Sequence, residues 1–271
     1  TVRLTSLLHQ LAERRHPVMF AGTAGTGKTT LMQDYLRNLD DDKLACTINM
    51  NYFMDARSMQ AQVEQVLDKR SGSTFGPPGG KHCLCLVDDL NLPYIEEYGT
   101  QNSLELLRQL IDQRGAFDRE DPGFYKTIQD VQYLAAMNPT AGSFTVNERV
   151  QRHFATLNYA MPDAANLKMV YGSILRGHLE LGGFETELLS QVENFVNASI
   201  YLYQNVAQKF MPSAIKFVYN WNMRELSNIF RGMTKAEADD FKTPASLLRL
   251  WLHESQRVFG DRLITESDRT R

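Results

Sequence analysis

The octapeptide Gly22-Thr-Ala-Gly-Thr-Gly27-Lys28-Thr29 is a complete match to the G-x-x-x-x-G-K-[ST] phosphate-binding loop. No other stretch of the chain restricts its fold so strongly, because the motif works only between a strand and a helix. Both are predicted here. Pro17-Val-Met-Phe-Ala21 reads as a short buried strand and Thr30-Leu-Met-Gln-Asp-Tyr-Leu-Arg37 as a helix. Glycines at 22, 25 and 27 let successive backbone N–H groups turn inward around phosphate oxygens, and the helix N-terminus adds partial positive charge. Gly22, Thr23, Ala24, Gly25, Thr26, Gly27, Lys28, Thr29 and Thr30 are the expected nucleotide-binding residues of this stretch, with Lys28 on the outer phosphates and the Thr29 hydroxyl on Mg²⁺.

A second acidic site fits the first. Cys83-Leu-Cys-Leu-Val-Asp88-Asp89 is an apolar run that ends in two carboxylates, the way a P-loop protein presents a metal-site acid at the C-terminal edge of a strand. Asp88 is expected to hold Mg²⁺ through its water shell, and Asp89 to orient or deprotonate an attacking water. The run Val131-Gln-Tyr-Leu-Ala-Ala-Met137 predicts another strand and ends on Asn138-Pro139, where the Asn can report on the γ-phosphate. A polar turn after a strand would also explain either sequence. Arg149 and Arg152, three apart before the strand Phe154–Tyr159, are candidates for an arginine finger, with surface ion pairing as the alternative.

The remaining elements follow the same periodicities. Apolar residues at 4, 7, 8 and 11 predict a first helix, Leu44–Asn49 a strand, and the spacing through Ala56, Met59, Val63, Val66 and Leu67 a helix. A further helix uses Leu104, Leu107, Leu110 and Ile111. The glycine- and proline-rich segments Ser71–Gly80 and Gly115–Tyr125 read as loop insertions. From Met161-Pro162-Asp163 onward the pattern is helical: one helix capped by Asp163 and ended by Gly182-Gly183, a longer one from Leu188 to Phe210, a third opened by Asn222, and a fourth from Thr243-Pro244 to Phe259. Trp221 and Trp251 read as packing residues. Arg224 stands out because a basic residue in a first helical turn opposes the macrodipole, and a bound phosphate or an ion pair with Glu225 or Glu237 would account for it.

Composition narrows the function classes. A length of 271 residues suits a large domain with a smaller companion, and a formal charge of −3 argues against a nucleic-acid partner. No apolar run is long enough to span a membrane. The opening Thr1-Val-Arg-Leu reads as the start of a piece of something longer. Three cysteines are too few for a disulfide framework and point to a cytosolic setting. Cys83 and Cys85 are expected to be buried small residues, with no further ligands at zinc spacing.

The order of phosphate loop, Asp88-Asp89, Asn138, Arg149 and Arg152, and Arg224 in a helical segment resembles an AAA+ ATPase module over nearly the whole chain. Asp88-Asp-Leu-Asn-Leu-Pro-Tyr94, Tyr98-Gly99-Thr, Asn138-Pro-Thr-Ala-Gly-Ser-Phe-Thr145, Arg152-His-Phe154 and Arg249-Leu-Trp-Leu-His-Glu254 are similar to the third AAA+ module of a dynein heavy chain, nearest the axonemal outer-arm type. The resemblance implies an α/β fold: a large subdomain over residues 1–161 with a five-stranded parallel sheet flanked by helices, then a small α-helical lid over 162–271. It implies ATP or ADP with Mg²⁺ as ligands. Lys28 and Thr29 take the Walker A roles, Asp88 and Asp89 the Walker B roles, Asn138 sensor 1 and Arg224 sensor 2. Arg149 or Arg152 takes the finger role, serving the preceding module's site in trans.

Its implied partners are the neighbouring AAA+ modules of the same heavy chain, with microtubule contact only through other parts of the motor and no nucleic acid or membrane. The implied location is the cytoplasm and cytoskeleton, in a ciliary or flagellar axoneme.

One departure bears on mechanism. The family usually has Asp-Glu at the strand end, whereas Asp89 is one methylene shorter, and a misplacement of about 1 Å can cost on the order of 10²-fold in rate. Slow, regulatory hydrolysis is the expectation, with a non-hydrolysing structural module as the alternative. More distant is an independent remodeller, which would need an exposed aromatic loop, for which Phe75 is the candidate.

Overall fold

The computed structural model describes residues 2–139 and 146–270. The chain forms two compact units, one ending at Met161 and the other beginning at Pro162. In chain order the first contains α1 (Val2–Glu13), β1 (Val18–Ala21), α2 (Lys28–Arg37), β2 (Lys43–Asn49), α3 (Ala56–Glu64), β3 (Asp68–Ser71), β4 (Thr74–Gly76), β5 (His82–Asp88), α4 (Asn102–Asp112), β6 (Gly115–Phe117), β7 (Tyr125–Ile128), β8 (Val131–Met137), α5 (Glu148–Gln151) and β9 (Ala155–Asn158). The second contains α6 (Ala164–Leu181), α7 (Thr186–Ser190), α8 (Val192–Lys209), α9 (Met223–Met233), α10 (Pro244–Val258) and α11 (Glu266–Arg269).

Five strands make a parallel sheet in the order β2-β5-β8-β1-β9. Alternating side chains explain why both faces are covered. Val18, Phe20, Leu84, Leu86, Leu134 and Ala136 point to one side, against Leu8 and Ala12 of α1 and Leu31, Met32 and Leu36 of α2. Met19, Ile48, Cys85, Val87 and Ala135 point to the other, against Met59 and Val63 of α3 and Leu104, Leu107 and Leu110 of α4. The fold class expected from the sequence, a five-stranded parallel sheet with helices followed by a helical unit, is the one observed.

The two insertions are corrected. They were expected as loops, but Ser71–Gly80 contains the end of β3, all of β4 and a 3₁₀ turn, and Gly115–Tyr125 contains β6 and the start of β7. Together these strands build a second sheet in the order β3-β4-β7-β6. Its strands lack alternation because Asp68-Lys-Arg-Ser71 is exposed along its whole length, so periodicity carried no signal. Ion pairs hold the sheet where apolar burial is scarce. The Lys126 ammonium lies 2.9 Å from Glu64 and 2.8 Å from Asp118. It also sits 5.5 Å above the centre of the Phe75 ring. Phe75 is therefore a half-buried strand residue, not an exposed aromatic at a loop tip.

The second unit packs its helices around one core that includes Tyr171, Leu175, Leu188, Phe195, Ile200, Leu226, Phe230 and Leu247. Asp163 caps α6 by accepting from the Asn166 N–H at 2.8 Å, and Thr243 caps α10 ahead of Pro244. The helix expected from Leu188 to Phe210 is broken into α7 and α8 at Gln191, which serves as C-cap of one and N-cap of the other. Both tryptophans pack as expected. The Trp251 indole donates to Ser199 Oγ and the Trp221 indole to the Phe210 carbonyl, each at 2.8 Å.

The irregular stretch between α8 and α9 is tied to the chain's last helix. Asp268 takes an ion pair from Lys216 and a 2.8 Å hydrogen bond from Tyr219 Oη. Tyr219 Oη in turn accepts from the Ile264 N–H at 2.9 Å. Led by the Lys216 hydrogen bond, these contacts hold the Asp268 carboxyl down at about 2. A depressed carboxyl pKa stabilises the fold fully above its unfolded value, and that contribution is lost as pH falls from about 4 through about 2. The urea midpoint of the second unit, read by tryptophan fluorescence because both tryptophans lie there, should drop across that window. Asp268→Asn should flatten the drop, and an unchanged slope in that variant would refute the assignment.

Candidate functional site

Parallel strands deliver their C-terminal ends to one edge of the sheet, and three neighbouring strands carry the predicted residues there. β1 runs into the phosphate loop, β5 ends on Asp88, and β8, which lies between them, ends just before Asn138. The Thr29 hydroxyl donates to Asp88 Oδ1 at 3.0 Å, although 59 residues separate them. The Asp89 N–H donates to the same carboxylate oxygen at 3.0 Å. Asp89 itself is exposed and left-handed, with φ of 53°, and the next residue returns to the sheet, the Leu90 N–H donating to the Ala136 carbonyl at 3.0 Å.

The loop's shape is set by what lies beneath it. A Cβ on Gly22 would stand 2.2 Å from the Tyr159 carbonyl oxygen, so no other residue fits there without moving the backbone. Gly27, at φ of 103°, is the left-handed N-cap of α2. Thr26 is buried and its hydroxyl donates to the Thr23 carbonyl at 3.0 Å, which closes the turn. Lys28 is also buried, and its ammonium donates to the Gly22 and Thr23 carbonyls at 2.8 Å each. Ala24 and Gly25 are half-buried within the turn, and Thr23 and Thr30 are exposed.

Two residues that sequence reasoning did not single out belong to this edge. Asn91 is buried, and its side chain bridges to the residue after β8. Its amide donates to the Asn138 carbonyl at 3.3 Å, and its carbonyl oxygen accepts from the Asn138 N–H at 3.4 Å. Tyr159 supports Gly22 from below and packs edge-on against Phe20, with ring centres 5.7 Å apart. Its N–H donates to the Ala21 carbonyl at 2.7 Å, continuing the ladder of β9 past the end of β1. A signal for Asn91 was present in its place after the paired aspartates, but Tyr159 carried none, because an aromatic at the end of a strand reads as core.

The arginines are placed elsewhere. Arg149 and Arg152, both exposed, lie in and just after the short α5. That helix precedes β9, whose first residue Ala155 is level with Val18 at the start of β1. They therefore enter at the edge of the sheet opposite the phosphate loop. Arg224 lies in the second unit, in the first turn of α9 behind a capping box made by Asn222 and Glu225. The alternative ion pair does not form: Glu225 pairs with Arg262 at 2.8 Å, and the exposed Arg224 guanidinium takes no ion-pair partner among the described residues. Residues 140–145 of the string after Asn138 lie outside the described residues.

A metal at this edge would meet hard oxygen ligands, one hydroxyl and one carboxylate already in contact, which is a donor set for Mg²⁺ completed by water and phosphate. Among the described residues no group of three or more His, Cys, Asp or Glu could hold a metal without such help.

Residues 1–162 match the family model described as the P-loop containing dynein motor region. The chain belongs to that family. A second model, the AAA+ lid domain, matches residues 195–271. Among similar proteins, the flagellar outer-arm dynein beta chain of Chlamydomonas reinhardtii is 42% identical over 99% of this chain. Axonemal dynein heavy chain 17 of Mus musculus and the ciliary dynein beta chain of Tripneustes gratilla are each 40% identical over the same share. The chain spans 6% of the length of each of these relatives. It is thus an AAA+ module of the dynein motor family, similar to one segment of axonemal heavy chains. No helix among its described residues is long and apolar enough to cross a membrane.

Gly22→Ala tests the cradle. The clash with a backbone carbonyl should cost about 1–3 kcal/mol of stability to urea, because backbone has to move. A midpoint equal to the parent's would show that the loop does not rest on Tyr159.

Proposed function

We propose that this dynein motor module binds Mg·ATP and ADP at the edge formed by β1, β8 and β5 and hydrolyses ATP slowly, in a regulatory role within the motor ring. The carrying observation is the contact between the Thr29 hydroxyl and the Asp88 carboxylate at 3.0 Å, which puts both magnesium ligands of the proposal together beside the phosphate loop. In this reading the loop N–H groups and Lys28 hold the phosphates, and Lys28 exchanges its carbonyl partners for phosphate oxygens. Bound Mg²⁺ supplies charge neutralisation on the transferring phosphoryl group. Asp89 orients the attacking water and takes its proton, and Asn138, positioned by Asn91, senses the γ-phosphate.

Arg149 or Arg152, both at the opposite edge of the sheet, serves the preceding module's site in trans, and the site here is completed by another module. Arg224 is the sensor 2 residue of this reading. The long sequence strings around Asp88, Asn138 and Arg249 support assignment as the third module of an axonemal, outer-arm type heavy chain. Its partners are then the adjacent modules of that chain, in a ciliary or flagellar axoneme, with microtubule contact made by other parts of the motor.

A second reading, a module that holds nucleotide without turning it over, is favoured by one observation: Asp89 combines a short carboxylate with an exposed, left-handed backbone position. Asp89→Glu separates the two. Measured in the intact motor, a gain in hydrolysis at this module on the order of 10-fold or more supports a tuned active site, and no change supports the non-hydrolysing reading.

Nucleotide binding itself is tested on the purified chain with Mg²⁺. Lys28→Ala should weaken ATP binding roughly 10- to 100-fold, the value of a charge-assisted contact to phosphate. Unchanged affinity would overturn the proposed site.

A further inference from the structure

Strands β2 and β5 of the phosphate-binding unit carry a feature that nucleotide chemistry does not use. Cys46 of β2 stands directly opposite Cys85 of β5 in the parallel register. Both side chains point to the α3 and α4 face of the sheet, where Cys85 is part of the buried core and Cys46 packs at its margin. The two thiols are therefore neighbours across the β2–β5 ladder. Directly paired strand residues are about 5 Å apart between backbones, within the range that a disulfide spans.

Cys83 is on the same strand as Cys85 but faces no thiol. Its register partners are Leu44 on β2 and Val131 on β8. It is diagonal to Cys46, and a diagonal pair lies about 7–8 Å apart, beyond easy bridging.

We propose that Cys46 and Cys85 form a redox site in which a peroxide oxidises Cys46 and Cys85 resolves the product into an intramolecular disulfide.

The two thiols are unequal in the sense this chemistry requires. Cys46 is half-buried on the outermost strand of the sheet, so a small oxidant reaches it. The neighbouring Cys85 thiol lowers the Cys46 pKa and raises the thiolate fraction that attacks. Cys85 is fully enclosed, and its Cys46 neighbour together with burial pushes its own pKa well up, so it is inert toward anything in solution. Burial likewise pushes Cys83 up to about 12.

The steps balance. The Cys46 thiolate attacks one peroxide oxygen, the O–O bond breaks, and hydroxide leaves to take a proton as water, which makes a sulfenic acid on Cys46. The Cys85 sulfur then attacks the Cys46 sulfur and the S–O bond breaks. The departing hydroxide takes the Cys85 proton and leaves as a second water. Two thiols are oxidised by two electrons, and one peroxide is reduced.

Closing the bond draws β2 inward by about 1 Å, because paired strands hold their Cβ atoms farther apart than the usual 3.8 Å of a disulfide. An edge strand has no outer neighbour to resist that movement. The residual strain makes the bond readily reducible, the property of a reversible site.

The test is mass mapping of the chain after hydrogen peroxide treatment, with free thiols alkylated and peptides separated without reductant. The expected result is loss of two of the three thiols to a Cys46–Cys85 linkage, reversed by dithiothreitol, with Cys83 alkylated only after unfolding. Cys85→Ser should instead accumulate a Cys46 sulfenic acid that dimedone traps, and Cys83→Ser should behave as the parent. A linkage that includes Cys83, a Cys46–Cys46 bond between two chains, or Cys46 driven to sulfinic acid in the parent while Cys85 stays free would each overturn the proposal. The parent protein decides the matter even if a variant fails to fold, and loss of nucleotide binding would leave this result unaffected.

Discussion

The parallel pairing of β1, β8 and β5 is the constraint on which the site depends. Strands that run the same way bring three chemically different chain segments to one edge: a glycine loop, a carboxylate and an amide. The strand in the middle fixes their spacing, since β8 pairs with β1 through Leu134–Met137 on one side and with β5 through Val131–Ala135 on the other. Burial on both faces locks that arrangement, because a one-residue slip of any strand would exchange its two apolar faces and disrupt both cores. The 3.0 Å contact between Thr29 and Asp88 is the local outcome of that global pairing.

The loop is held ready by contacts that a ligand can replace. Lys28 is buried and bonded to two loop carbonyls, so its ammonium keeps partners in the protein and does not repel the N–H groups around it unopposed. Gly22 lies directly over the Tyr159 carbonyl, and Tyr159 closes β9 three residues before the first unit gives way to the second. The loop and the end of that unit therefore share one support. A shift in either reaches the other through packed backbone, which has little room to absorb it.

Polar contacts do at the periphery what apolar burial does in the cores. The small second sheet is held by Lys126 between Glu64 and Asp118 and by Asp130 between Arg70 and Arg15. In the second unit, Asp268 gathers Lys216 and Tyr219 to fix a stretch that has no helix. The partly exposed pairs of the small sheet stabilise modestly, and they set position more than they set stability.

The sequence by itself determined the phosphate loop, the five strands of the main sheet, the helical second unit and its caps at Asp163 and Thr243, because each of these is encoded locally by glycine placement, apolar period or a capping side chain. It also named Asp88, Asp89 and Asn138 by their place at strand ends. Only the tertiary structure decided that Asp88 reaches Thr29, that Asn91 and Tyr159 support the edge, that the arginines at 149 and 152 stand at the opposite edge, and that the two insertions pair into a sheet. These depend on strand order and register, which are contacts between residues far apart in the chain. No local period records them, since their energy comes from partners that the fold must first bring together.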